Sequence, residues 1–433
     1  MKRLFYFCYN ATTTLLLPGF LLFLLFRLFR QPEYRAGLGE RFGFYPDLPA
    51  ATGGRRFWIH AVSVGEIISA GVFIQRLRAD YPDATIIVST GTPTGRAAAR
   101  QRLTGVDQIV YFPFDLPFDF LGTARRAVRR LAPSVLILLE TELWPNVLRT
   151  LGETGTPVLL VNGRISGRSL PRYLRVRRFL PYLFDPIRAM LMQTPEDVAR
   201  IESLGAPREK LFCTGNMKYD QAVAKPRKTS EALRADLGLG DRLLMIAGSL
   251  HPGEDEPVLS TYRLLREKMA SAPPPMLLMA PRHLTRLDEM EARVARHGLT
   301  LIRKTAIASR HNCDVVLLDT LGELDACYAV GDLIFVGGSL VPVGGHNVLE
   351  AAACRKPVFF GPHMENFHDV AAQLTQSGGG IPVAGAHEMA EAMVRLIRHP
   401  DEMKKRGEAA LAVVMANQGA VSRNLGHLAA WID

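Results

Sequence analysis

The residues able to do chemistry in this chain gather in short stretches that follow runs of apolar side chains. The first is HAVSVGE (60–66), in which Glu66 stands where a helix would begin. A first-turn glutamate is favoured by the helix dipole, which by itself accounts for one at this spacing. The same dipole keeps the carboxylate ionised, and an ionised carboxylate at a cleft edge can accept a proton from a hydroxyl nucleophile. The second stretch is ETELWPN (140–146), directly after the apolar run 135–139, which puts Glu140 and Glu142 where burial is costly without partners. Capping the next helix or pairing with an arginine would satisfy Glu140 equally well, so both readings stand. The third is CTGNMKYD (213–220). Its Lys218 is either solvated or, facing a cleft, able to neutralise a leaving phosphate as charge develops.

Other stretches suit an anion or a nucleotide. TPTG (92–95) and GSLHPGE (248–254) each join an apolar run to a helical pattern, and backbone amides at such turns can hold a phosphate. Pro281, Arg282 and His283 end another apolar run, from which Arg282 could reach a nucleotide phosphate or base. Glycines in GGS (337–339) and GGHNVLE (344–350) let the backbone approach a ligand, and Glu350 can take a ribose diol with two hydrogen bonds. Glycine pairs can equally be plain turns. Together with Arg282, Glu350, Gly322 and Glu323, each at a strand end, they favour nucleotide binding. GxxxxGK[ST], a strand followed by GxGxxG, and HExxH are all absent from the sequence, so neither an ATPase nor a common dinucleotide enzyme is indicated and no metal is expected.

The elements that must position these residues follow from the alternation of patterns. Apolar runs at 57–61, 85–89, 109–112, 135–139, 158–161 and 189–192 alternate with helical patterns at 66–78, 96–103, 122–131 and 195–204. Such alternation is the signature of a parallel sheet wrapped by helices. A polar stretch at 225–231 resets the pattern, and runs at 243–247, 276–279, 315–318, 333–336 and 357–360 repeat it. Met389, Met393, Leu396 and Ile397 form one apolar helical stripe. The 433 residues thus divide into two doubly wound α/β domains, residues 31–224 and 225–433, behind a segment 1–30 of different character. Facing each other, two such domains would gather the carboxyl ends of both sheets around a central cleft, where ligands of open sheets bind.

The first thirty residues read as a membrane anchor. From Leu4 to Phe26 no side chain is charged, and 23 residues at helical rise can just cross a hydrocarbon core of about 30 Å. Asn10, Thr12 to Thr14 and Pro18 interrupt the run, so a helix lying in the interface is the alternative. Lys2 and Arg3 precede it, whereas Arg27, Arg30, Arg35 and Arg41 follow, which places the body on the cytoplasmic side. Five cysteines without a CxxC pair fit a reducing compartment. The formal net charge of +10 calls for an anionic partner. Two arginine runs, 125–130 and 164–178, are ordinarily solvated helix faces, but beside an anchor they can hold lipid headgroups. Nucleic acid fits less well, since no recognised module accompanies the charge.

Taken in order, HAVSVGE, TPTG, ETELWPN, NGRISGRS, TGNMKYD, PRH, GELDACY, FVGGSLV and GGHNVLEAAA resemble the GT-B Kdo (3-deoxy-D-manno-octulosonic acid) transferases over nearly the whole chain. The resemblance implies two Rossmann-like domains, an N-terminal acceptor-binding one and a C-terminal CMP-sugar-binding one, behind a hydrophobic anchor helix. It implies Glu66 as proton acceptor, with Glu140 and Lys218 stabilising the transition state. CMP contacts would come from Pro281 and Arg282, from Leu321, Gly322 and Glu323, and from Asn347, Val348, Leu349 and Glu350. The implied reaction is inverting transfer of Kdo from CMP-Kdo to an anionic lipid A precursor at the membrane surface, without metal or other cofactor. Two alternatives stay open: another membrane-associated GT-B transferase using a UDP-sugar and a lipid-linked acceptor, and a non-catalytic membrane-bound scaffold. Protection of the second domain by CMP rather than UDP would separate the first, and the presence of both Glu66 and Glu140 weighs against the second.

Overall fold

The computed structural model describes residues 1–47, 54–113, 119–224, 230–269, 274–309 and 313–432. The chain forms two compact units, one from Met1–Gln221 together with the chain from Gln418 onward, the other from Ala222–Asn417. The polar stretch 225–229, where the sequence pattern resets, lies outside the described residues.

The first unit holds a seven-stranded sheet: β1 (Arg56–His60), β2 (Thr85–Thr90), β3 (Gln108–Tyr111), β4 (Val135–Leu139), β5 (Val158–Gly163), β6 (Ile187–Met192) and β7 (Leu211–Cys213). Their order is β3-β2-β1-β4-β5-β6-β7, with every pairing parallel. β4 shows why apolar runs become strands here. Its five residues are all buried, with Leu136 and Leu138 entering one core beside Trp58 and Phe184. Val135, Ile137 and Leu139 enter the other, beside Phe73 and Ile74. A strand covered on both faces needs no polar alternation, so it reads as an unbroken run.

The second unit repeats the design with β8 (Leu244–Leu250), β9 (Met276–Pro281), β10 (Leu301–Arg303), β11 (Val315–Leu317), β12 (Leu333–Val336), β13 (Val358–Phe360) and β14 (Gly380–Pro382). The order is β10-β11-β9-β8-β12-β13-β14, again all parallel. In each sheet the winding direction reverses beside the first strand, between β1 and β4 and between β8 and β12. Loops leaving those strands diverge there and open a crevice. Three strands are absent from the sequence reading: β7, β10 and β14, each of three residues and each at a sheet edge.

At the amino terminus the structure departs from the expected single anchor helix. Two helices, α1 (Lys2–Leu15) and α2 (Leu17–Arg30), meet at a 50° bend, and among the described residues no single helix is long and apolar enough to cross a membrane. Pro18 has no amide proton to give the carbonyl of Thr14, so the hydrogen-bond ladder breaks where the bend falls. α1 instead packs on the first unit. Its Tyr6 and Thr13 are buried, Phe5 stacks on Phe179 with ring centroids 5.2 Å apart, and Asn146 Nδ2 donates to Asn10 Oδ1 at 3.0 Å.

The helix Ala420–Ala429, which the sequence pattern leaves in the second domain, also packs with the first unit. Ala420, Val421, Leu425 and Leu428 are buried against the core of Phe73 and Ile74. Asp220 holds the start of this helix, its Oδ1 accepting from Gly419 N at 2.6 Å and its Oδ2 from Val421 N at 2.8 Å. A carboxylate on orphan amides at a helix start is an N-cap supplied from afar. Asp220→Ala should therefore lower stability by about 1–3 kcal/mol, read from denaturant unfolding. An unchanged midpoint would mean that the helix is held by its apolar face alone.

Candidate active site

The crevice between β1 and β4 gathers the charged residues of the first unit. β1 ends at His60, and the helix Val64–Asp80 begins four residues later. Its start is a reciprocal capping box: Ser63 Oγ accepts from Glu66 N at 3.2 Å, while Glu66 Oε1 accepts from Ser63 N at 3.2 Å. Glu66 Oε2 accepts a further bond from Val62 N at 2.7 Å. The side chain is only 8% exposed. Burial and then the negative charge of Glu140 raise its pKa, against the pull of the three hydrogen bonds. The helix-cap and proton-acceptor readings of Glu66 are thus compatible, because the cap fixes the carboxylate and the surroundings strengthen it as a base.

Glu140 leaves β4 with φ +57°, a conformation that costs a residue with a Cβ about 1–3 kcal/mol and tends to survive where function needs it. Its amide donates to Val161 O at 3.0 Å, so the turn is held by the neighbouring strand β5. At the end of β5, Asn162 shares this backbone state, with φ +56°. The buried Asn162 Oδ1 accepts from Met217 N at 3.0 Å, which anchors the first turn of the helix Met217–Ala224 and so the position of Lys218. Burial lowers the Lys218 pKa; the charges of Glu140 and Glu66 act to raise it and that of Arg164 to lower it further. Glu66, Glu140 and Lys218 therefore meet in one electrostatic cluster, joined by Arg164.

Sequence reasoning gave no role to Asn162 and read Arg164 only as the first member of the second arginine run, although both lie in the stretch NGRISGRS. The signal was there in weak form, since Asn is among the few residues that accept positive φ. His60 is fully buried and stacks on Phe112 with ring centroids 3.8 Å apart. Burial pushes its pKa down to about 3, so it remains neutral and structural. The TPTG turn does not offer its amides to a ligand in full, because Thr92 Oγ1 accepts from Gly95 N at 3.0 Å.

In the second unit the crevice between β8 and β12 already contains an anion. Glu254, fully buried, accepts four backbone bonds: from His251 N at 2.9 Å and Gly338 N at 2.6 Å on Oε2, and from Ser339 N at 3.0 Å and Leu340 N at 2.9 Å on Oε1. The amides that the sequence pattern offers to a phosphate are thus taken by the protein's own carboxylate. Beside them, His251 and His346 share a hydrogen bond between their Nε2 atoms at 2.8 Å, with rings stacked at 5.0 Å. Burial and the nearby charge of Arg282 push the His346 pKa down to about 4.

The expected nucleotide residues occupy the same carboxyl edge of this sheet. Pro281 ends β9, and the side chain of Arg282 is exposed. Leu321 is exposed, Gly322 has φ +84°, and Glu323 accepts from Lys304 Nζ at 2.7 Å. Asn347 Oδ1 accepts from Leu349 N at 3.1 Å, and Glu350 is half-buried at the start of the helix Leu349–Ala352. Val348 and Leu349 are fully buried, which leaves their backbone and not their side chains for a ligand.

Comparison with known proteins places this geometry in context. Residues 36–221 match the family model described as 3-Deoxy-D-manno-octulosonic-acid transferase (kdotransferase). A 3-deoxy-D-manno-octulosonic acid transferase of Haemophilus influenzae is 35% identical over 434 residues, 99% of this chain and 99% of its own. Its counterpart from Bordetella pertussis is 34% identical over 379 residues, 87% of each chain. Among solved structures, the UDP-GlcNAc 2-epimerase of Neisseria meningitidis bound to UDP-GlcNAc covers 86% of this chain and 100% of its own at 12% identity, with a TM-score of 0.58. That likeness concerns the two-domain fold alone.

The Glu254 cradle is open to a direct test. Glu254→Gln turns one oxygen acceptor into an N–H donor that faces amide protons, so at least one bond becomes a repulsive contact. The expected loss is about 3 kcal/mol in denaturant unfolding. Stability equal to the parent would show that the amides of Gly338 to Leu340 accept another partner at no cost.

Proposed function

Since the chain belongs to the family of 3-deoxy-D-manno-octulosonic acid (Kdo) transferases, which are glycosyltransferases, we propose that it transfers Kdo from CMP-Kdo to a lipid A precursor with inversion at the anomeric carbon. The observation that carries the reading is the cluster of Glu66, Glu140 and Lys218 at the β1–β4 crevice. An acceptor hydroxyl attacks the anomeric carbon of Kdo as the bond to the CMP phosphate breaks. Glu66 receives the hydroxyl proton, and its raised pKa makes the transfer more favourable than to an ordinary glutamate. Lys218 and Glu140 balance the charge that moves in the transition state.

In this proposal the second unit binds the CMP portion through Pro281 and Arg282, through Leu321, Gly322 and Glu323, and through Asn347, Glu350 and the backbone of Val348 and Leu349. Lys218 and neighbouring backbone amides balance the departing phosphate, so the proposed step calls on no metal or other resident cofactor. The acceptor is anionic and lipid-linked, which places the protein at the cytoplasmic face of an inner membrane. The exposed apolar residues of α2 and the exposed arginines Arg172, Arg175, Arg177 and Arg178 support that location.

Purified protein given CMP-Kdo and a tetraacylated lipid A precursor should add Kdo, counted by mass spectrometry. Transfer from a UDP-sugar and not from CMP-Kdo would overturn the donor assignment. In the same assay Glu66→Gln should lower turnover by about 100- to 10,000-fold at saturating donor, while CMP affinity stays near that of the parent. Gln can still close the capping box but loses the charge at the helix start, worth about 0.3–1 kcal/mol, so a melting curve must accompany the rate. A folded Glu66→Gln protein with near-parental turnover would remove Glu66 from the role of base.

The pH profile gives an independent reading. The base works only when ionised, so the rate falls as pH drops through the raised Glu66 pKa. Glu140→Gln removes the neighbouring negative charge that contributes to the rise. Its acid limb should therefore move to lower pH than the parent's, even as the maximum rate declines. A limb that stays in place would mean that another group controls it.

A further inference from the structure

The amino-terminal thirty residues are fastened to the first unit at both ends, which no membrane-crossing segment between opposite sides can be. At the start, Lys2 pairs with the Asp185 carboxylate, just before β6, and Tyr6 Oη donates to Tyr182 O at 3.4 Å. The guanidinium of Arg149 lies 5.0 Å from the Tyr6 ring. One helical turn further, Asn10 meets Asn146, just after β4. α1 thus runs from the amino edge of the sheet to its carboxyl edge, where Glu66 and Glu140 lie. After α2 the chain returns at once: Arg27 stacks on Tyr34 at 3.8 Å, and Arg41, buried beside Tyr111 at 4.1 Å, donates to Gly91 O at 2.9 Å.

Between these fastenings α2 meets the body through one face and leaves the other exposed. Phe20 is buried and packs on Phe120 at 5.7 Å, which fixes the inner face. Leu22, Leu25, Phe26 and Phe29 fall at i, i+3, i+4 and i+7 and are 59–80% exposed, one apolar stripe turned to the outside. The 14 residues of α2 span about 21 Å at helical rise, short of the roughly 30 Å of a hydrocarbon core. Arg27 and Arg30 close the helix, and Arg35 follows, exposed. Beside α1, the exposed Arg172, Arg175, Arg177 and Arg178 alternate with exposed Leu174, Val176 and Phe179, the last of which stacks on Phe5. An apolar stripe flanked by cations matches the two chemistries of an anionic lipid surface, headgroup charge above hydrocarbon.

We propose that α2 is a shallow wedge in one leaflet, that α1 is a docked strut of the first unit, and that the amino terminus stays on the same side of the membrane as that unit. The inference rests on the membrane location proposed above and specifies its topology. The wedge holds the carboxyl edge of the first sheet against the leaflet from which a lipid-linked acceptor would come.

The test uses the full-length protein with a short epitope ahead of Met1, in inverted inner-membrane vesicles and in spheroplasts, each treated with protease from outside. The epitope should be cleaved in inverted vesicles and survive in spheroplasts. A second measurement places tryptophan on the stripe, Phe26→Trp, and compares quenching by phospholipids brominated near the headgroup with those brominated near the chain end. Quenching by the shallow label should exceed that by the deep label at least twofold. Cleavage of the epitope in spheroplasts, or stronger quenching by the deep label, would overturn the wedge while leaving the membrane location standing. Recovery of the protein in the soluble fraction, with no quenching from either label, would overturn both.

Discussion

In the proposed mechanism the carboxylate of Glu66 has to remain available as an anion in a place nearly closed to water, and the strand ends of the first unit meet around that constraint. The reversal of winding between β1 and β4 brings two strand ends together, and with them two acidic side chains. Burial and the nearby charge of Glu140 press Glu66 toward protonation, while its bonds to Val62 and Ser63 press the other way. The balance leaves Glu66 with a raised pKa and an intact set of donors. A carboxylate in that state is a better proton acceptor than a solvated one and is still held in a fixed orientation. The positive φ of Glu140 and of Asn162 is the local strain that keeps the opposing groups at this one spot.

Glu254 shows what the same chemistry becomes when it is fully satisfied. It too follows the first strand of its sheet, at the point where the winding reverses. Four amides saturate its oxygens and no solvent reaches it, so it has neither spare acceptor capacity nor access to a substrate. Its task is to tie the loop after β12 to the loop after β8. Glu66 makes two such bonds rather than four and lies near a second acid, which on the proposed reading leaves it able to take a proton. The contrast separates a structural from a chemical carboxylate by counting donors, a distinction invisible in the two sequence stretches, where each glutamate simply opens a helix.

What the sequence made legible were features encoded within a few residues. The interior strands of both sheets read as apolar runs because burial on two faces removes polar residues altogether, as in β4. β7, β10 and β14 escaped because they are edge strands of three residues and only partly buried, whereas β11 and β13, equally short, are buried throughout and read as apolar. Glu66, Glu140 and Lys218 were legible as residues at strand or helix ends, but their convergence depends on the strand order. Three features stayed hidden because each is decided by distant partners: the bend at Leu16, the docking of α1 through Asn10 and Asn146, and the return of Ala420–Ala429 to Asp220. Asn10 and Thr13 stood out in the sequence as interruptions of the apolar run 4–26, but only the fold shows that their side chains serve packing on the body rather than contact with lipid.

The arginines make the same point about charge. From composition, a net charge of +10 is a single quantity, and the two arginine runs look alike. In the structure Arg126 donates to Phe42 O at 2.6 Å and lies 4.1 Å from the Phe44 ring, Arg130 pairs with Asp47 at 2.5 Å, and Arg125 with Glu153 at 3.2 Å. That run fastens the chain around residues 42–47 to the helix Leu121–Leu131. Arg172, Arg175, Arg177 and Arg178 instead stand exposed among exposed apolar side chains. An arginine whose guanidinium is engaged by its own chain adds little to a lipid surface, whereas one set between exposed leucine, valine and phenylalanine can meet phosphate and hydrocarbon together. On the proposed membrane location, the second of the two runs is therefore the one suited to an anionic surface, because of the residues that lie between its charges rather than their number.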